Sequence, residues 1–238
     1  MYAYRGNALF LILIGVALFA ALSYAVTQTG RGGRDARNET IEIEASRLFT
    51  QMASIRSAVD RLTLLGCPKE QLSYEGAPGS YANQVKFPSD TDCLVFNGEG
   101  GGQAYQSPDV SLLNAAFSGA AGYGTMYFVR NISPSGACPT GYCNLVIVPF
   151  VSDEVCLVVN RKLHGHDAIP LSTDIMSVIT FRGSFTPGAF FRCLTNPIDG
   201  VHACGRDSGC FTVTTYALGS NNYSNVNVVY MQVMNNPP

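Results

Sequence analysis

The sequence predicts an α+β protein: a long N-terminal helix, apolar in its first half and amphipathic in its second, followed by a β-rich head with disulfide-braced loops. Three observations carry this reading. Residues 8–26, ALFLILIGVALFAALSYAV, are apolar apart from Ser23 and the Tyr24 hydroxyl. Farther on, Ile41, Ala45, Leu48, Met52, Ile55, Val59 and Leu62 recur at alternating spacings of four and three, the stripe of an amphipathic helix. Eight cysteines all follow the apolar run, and the region from Gly66 onward is rich in Gly, Pro, Thr, Asn, Ser and Tyr.

The apolar run is long enough to be a transmembrane helix, which needs about 20 residues. It exceeds the 7–15 apolar residues usual in a cleavable signal, although Ser23, Tyr24 and Ala25 would offer a cleavage site before Val26. Gly30, Gly32 and Gly33 form a helix break over 30–38, since interior glycines cost roughly 1 kcal/mol each relative to alanine. The amphipathic helix then runs over 39–66. Asn38 suits its N-cap, Glu39 and Glu42 suit its first turn, and Gly66 and Pro68 end it. Wholly helical, 8–65 would extend about 87 Å.

The cysteines are Cys67, Cys93, Cys138, Cys143, Cys156, Cys193, Cys204 and Cys210. An even number behind an export-type N-terminus points to disulfides and an oxidising compartment. Structural zinc sites favour tight C-x2-C pairs, whereas the closest pairs here are C-x4-C and C-x5-C. Eight cysteines allow about a hundred connectivities. Spacing suggests Cys138 with Cys143 and Cys204 with Cys210; proximity suggests Cys67 with Cys93 and Cys156 with Cys193.

Within the head (67–238), strands are predicted at 125–131, 144–150, 177–182, 189–194, 210–216 and 225–233. In the last, Val226, Val228, Tyr230 and Gln232 alternate with Asn227, Val229, Met231 and Val233. A helix starts at Ser152 and stops at Gly165, and 109–117 reads as a short helix. Net charge is −2, with 13% charged residues, so nothing attracts nucleic acid electrostatically. His164, Gly165, His166 and Asp167 could bind metal, but no third His-rich element completes a site. His202 reads as a loop residue. The GEGGG segment at 98–102 lacks the Lys-Ser/Thr of a phosphate loop. No G-x-S-x-G elbow occurs. The expectation is a non-enzymatic protein with no cofactor and no metal.

The order of MYAYRG, apolar helix, amphipathic helix and Cys-bearing β-rich region resembles the type IV pilin and pseudopilin superfamily over the first 65 residues or so. That resemblance implies a leader of residues 1–6 cut between Gly6 and Asn7 by prepilin peptidase. The helix at 7–29 would anchor the subunit in the bacterial inner membrane as a single pass with an extracytoplasmic head. It would then pack with other pilin-like subunits in an extracellular filament through Leu9, Leu11, Ile14, Leu18 and Leu22. The amphipathic half would lie on an antiparallel sheet. Pilins usually carry Phe or Met after the cut and Glu at the fifth mature position; here these are Asn7 and Leu11, a departure shared with some minor or tip pseudopilins. Arg31, Arg34 and Arg37 oppose the extracytoplasmic topology by the positive-inside rule, while the cysteines favour it. The alternative is a single-pass anchored or secreted disulfide-rich binding domain.

Overall fold

The computed structural model describes residues 7–29, 33–78, 93–132, 143–178 and 207–235. The chain divides into two compact units between Thr40 and Ile41. The first holds helix α1 (Asn7–Thr29) and the opening turns of helix α2 (Gly33–Leu64). α2 begins earlier than the stripe suggested. Gly33 is its first residue rather than part of a break, and Asn38 is helix interior rather than a cap. Arg34, Ala36 and Arg37 are good helix formers, and extending an existing helix adds one hydrogen bond per residue ordered. Gly6, Gly30 and Gly32 lie outside the described residues.

The expected transmembrane half is corrected. Among the described residues no helix is long and apolar enough to cross a membrane. The inner-membrane placement inferred from that span, with its extracytoplasmic head and extracellular filament, falls with it.

The second unit is organised by α2. Ile41, Ala45, Leu48, Met52, Ile55, Val59 and Leu62 are all buried, as is Ala58. Opposite them lies a five-stranded sheet of order β1-β2-β5-β4-β3. Its strands are β1 (Tyr127–Ile132), β2 (Cys143–Pro149), β3 (Leu171–Ser177), β4 (Ser208–Leu218) and β5 (Asn221–Asn235). Successive strand residues point to opposite faces. Phe128, Val146, Val148, Val229, Met231 and Val233 join the α2 stripe in one buried cluster. Tyr127, Val129, Leu145, Ile147, Val228 and Tyr230 form a second cluster on the other face. With both faces covered, every residue of β2 is buried, which explains its nearly continuous apolar reading.

The sheet is mixed, not antiparallel as expected. β1/β2, β2/β5 and β4/β5 are antiparallel, but β3 runs parallel to β4. A parallel pair needs a crossover of a dozen or more residues, and 178–207 supplies the length. β3 also precedes the strand expected at 177–182. Thr173 and Ile175 suit a pleated strand, and the Pro170 carbonyl opens the pairing by accepting the Thr212 N–H at 2.8 Å. The strand expected at 189–194 lies outside the described residues. β4 and β5 meet through Gly219 and Ser220, with Gly219 at φ +61°, a backbone twist that hairpin turns favour.

Helix α3 (Asp153–His164) joins the α2 side of the sheet through Val155, Val158 and Val159. The Ser152 hydroxyl accepts from the Val155 N–H, and Gly165 closes the helix at φ +73°, the left-handed cap glycine allows. The segment expected as a short helix over 109–117 is two 3-10 turns, Val110–Leu112 and Ala115–Phe117, capped by Asp109 and Asn114.

Two disulfides have both cysteines among the described residues. Cys67 joins Cys93, and Cys156 joins Cys210, with Cα separations of 5.7 and 5.2 Å. The second corrects two expectations: Cys156 does not pair with Cys193, nor Cys204 with Cys210. Proximity in sequence misled there, because α3 packs on β4 and brings its Cys156 to Cys210 across the fold. Cys143 is also disulfide-bonded; Cys138, Cys193 and Cys204 lie outside the described residues. The Cys67 bridge pins the loop-rich stretch after α2. There Ser73 N–H donates to Cys93 O and Val95 N–H to Ser73 O, and Tyr74 stacks on Phe128 with ring centroids 4.3 Å apart.

Ile55→Ala should cost about 2–5 kcal/mol and lower Tm on the order of 10 °C, as measured by thermal unfolding. Ile43→Ala on the same helix, where Ile43 is 54% exposed, should leave Tm nearly unchanged. Equal losses would place the stripe outside the core. Peptide mapping without reduction should recover Cys67 linked to Cys93 and Cys156 linked to Cys210.

Candidate functional site

α1 carries the most unusual surface. Phe10, Leu11, Ile12, Leu13, Val16, Leu18, Phe19 and Leu22 are each at least 60% exposed, and Ile14 is 40% exposed. No side of α1 is polar over 10–22, so the helix lacks the one-sided stripe that docks α2. Contiguous apolar surface of this kind marks a contact for another molecule. Of the residues read from sequence as an assembly set, Leu11, Ile14, Leu18 and Leu22 lie on this surface. Leu9 lies in α1, with its side chain outside the described set, and Asn7 is the first α1 residue.

The second unit offers smaller features. His164 Nε2 lies 3.0 Å from Ser208 O, and its ring stacks on His166 at 5.7 Å. Asp167 is taken by Arg161, whose pKa the Asp167 carboxylate raises. No group of three or more His, Cys, Asp or Glu side chains gathers as a metal site among the described residues. His202 lies outside them. The GEGGG segment is a folded turn. Gly100 and Gly102 N–H donate to Asn97 O, and Gly101 N–H to Leu94 O. Those donors are occupied, so the loop cannot cradle a phosphate through them. Arg61 of α2 donates to Gly100 O at 2.8 Å, tying the loop to the helix.

A groove of about 230 Å³ is lined by Glu44, Arg47, Gln51, Gln106, Ser107 and Asp109 together with the apolar Leu48, Pro108 and Leu112. Glu44 and Arg47 form an ion pair at 2.5 Å. Hydrogen bonds from Ser111 hold the Asp109 carboxyl below its ordinary range. These groups serve one another or cap a turn, and their placement suits structure rather than proton transfer. Burial pushes the Tyr105 and Tyr127 hydroxyls above the ordinary tyrosine value. Tyr105 also accepts the Met126 N–H at 3.0 Å.

Sequence reasoning missed the roles of Asn160 and Asn227, two of the buried amides. Asn160 donates through Nδ2 to Ala168 O at 2.7 Å and Cys210 O at 2.9 Å, and accepts the Cys210 N–H at 2.9 Å. It therefore pairs with β4 as another strand would, beside the Cys156–Cys210 bridge. Asn227 accepts from Thr212 at 2.5 Å and donates to Asp153 at 2.6 Å. The signal for Asn160 was present: it follows Val155, Cys156 and Val159 on the apolar side of α3.

Comparison with known proteins finds no matching family model, no similar curated protein and no similar solved structure.

Asn160→Ala leaves the buried Cys210 N–H and carbonyl without this partner, at about 1–3 kcal/mol per group. Urea unfolding should show a loss of about 2–4 kcal/mol. Because the folded-state tyrosine pKa values are raised, their stabilisation is complete below about pH 10, the ordinary tyrosine value, and is lost as pH climbs through the raised values. Tyr127→Phe should flatten the alkaline fall in Tm.

Proposed function

We propose that this chain is a non-enzymatic structural subunit of a bacterial type IV pilus-like filament or secretion pseudopilus, assembling through α1. One observation carries the reading: α1 is apolar and exposed on every side over 10–22. Covering each large apolar side chain is worth about 1.5–3 kcal/mol. A bundle of like helices from copies of this chain, or from other pilin-like subunits, covers all sides at once, which a single groove does not. The disulfide-bonded second unit needs no such partner for its own core, since the α2 stripe is already buried within it.

In this reading prepilin peptidase cuts between Gly6 and Asn7 and leaves α1 whole. Sequencing the mature N-terminus tests it. A start at Asn7 supports the proposal. A start at Val26 removes the apolar surface and overturns it. Gly6→Leu should leave the precursor uncut and abolish filaments in electron micrographs. Leu18→Asp, which puts a charge into the bundle, should abolish filaments without lowering the Tm of the second unit.

A further inference from the structure

The chain contains a single Asn-Gly pair, Asn97–Gly98, and its geometry is not that of an inert loop. The Asn97 side-chain oxygen accepts the Glu99 N–H at 3.0 Å. This Asx-type bond folds the carboxamide back toward the following residues. It also draws electron density from the amide carbonyl, making Cγ a better electrophile. Among the described residues the Gly98 N–H donates to no backbone carbonyl. Gly98 and Glu99 are exposed, so water reaches the site. Gly98 has no side chain to shield its nitrogen.

We propose that Asn97–Gly98 is a self-deamidation site that loosens the loop clamped on α2. The Gly98 nitrogen gives up its proton to water and attacks Asn97 Cγ. The N–Cγ bond forms, the Cγ–Nδ2 bond breaks, and ammonia leaves with a proton. The resulting succinimide takes up one water. Opening at the side-chain carbonyl gives an aspartyl residue; opening at the main-chain carbonyl gives an isoaspartyl link. Amide and water become acid and ammonia, and nothing is oxidised or reduced.

The consequence follows from what Asn97 holds. Its carbonyl accepts the N–H groups of Gly100 and Gly102 at 3.2 and 2.6 Å, and Gly100 O receives Arg61. An isoaspartyl link inserts a methylene into that turn and displaces the accepting carbonyl. Either product adds a negative charge beside Glu99. The isoaspartyl product therefore disturbs the turn that presents Gly100 O, and the Arg61 tether from α2 weakens with age.

The test incubates the full chain in mildly alkaline buffer, folded and in parallel unfolded with its disulfides reduced. Intact mass, peptide mapping and isoaspartyl methyltransferase labelling follow position 97. Gly98→Ala is the control, since a Cβ there meets nothing within 4 Å. The proposal expects the acid and the isoaspartyl label at position 97 in the folded chain, both reduced several-fold in Gly98→Ala, with a lowered Tm in the aged protein. Deamidation confined to the unfolded chain would overturn it. So would equal rates in Gly98→Ala, or an aged protein whose Tm has not moved.

Discussion

The second unit depends on burial of one face of α2. Eight α2 side chains, from Ile41 to Leu62, lie at 4% exposure or less, in the same cluster as β1, β2, β5 and α3. Each large side chain among them contributes about 1.5–3 kcal/mol on burial. Other contacts extend it. Lys162 of α3 lies 3.0 Å from Ser46 and 3.5 Å from Glu42 on α2, an exposed pair worth at most about 1 kcal/mol. The bridge between Cys156 and Cys210 and the Asn160 pairing hold α3 to β4 more firmly. Cys67 and Arg61 bind the loop-rich stretch to α2.

The opposite face of the sheet has its own constraint. β2 ends at Pro149, and Phe150 adopts φ +64°. A non-glycine residue pays about 1–2 kcal/mol for a left-handed conformation. The buried ring offsets it by meeting Phe117, Tyr216 and Tyr223 at centroid distances of 5.1–5.4 Å. The turn sends the chain to Ser152, the cap of α3. The same corner thus closes the second cluster and aims α3 at the first.

Much of this was legible locally. The stripe of α2 follows from spacing alone. The β5 faces follow from alternation, with Val226, Val228 and Tyr230 on one side and Val229, Met231 and Val233 on the other. α3 announces itself by Ser152 and Gly165. What was illegible depends on distant partners. The parallel course of β3 is set by pairing with β4 across 178–207. The Cys156–Cys210 bridge requires knowing that α3 lies on β4. The start of α2 at Gly33 turns on helix extension outweighing a local glycine cost. The candidate site divides the same way. The apolarity of α1 is plain in the sequence, but its exposure on every side is a property of the structure. The occupied N–H groups of Gly100, Gly101 and Gly102 are a property of the structure too.

α1 and α2 treat apolar surface in two ways: α2 buries its stripe within the second unit, while the apolar side chains of α1 are exposed. Under the proposed subunit role, other subunits would cover them. Hydrogen exchange measured on dispersed and assembled protein tests this most directly. If subunits pack through α1, amides at 10–24 exchange readily in dispersed subunits and become strongly protected on assembly, while 41–64 stay protected in both. Unchanged exchange at 10–24 in the assembled particle would contradict it.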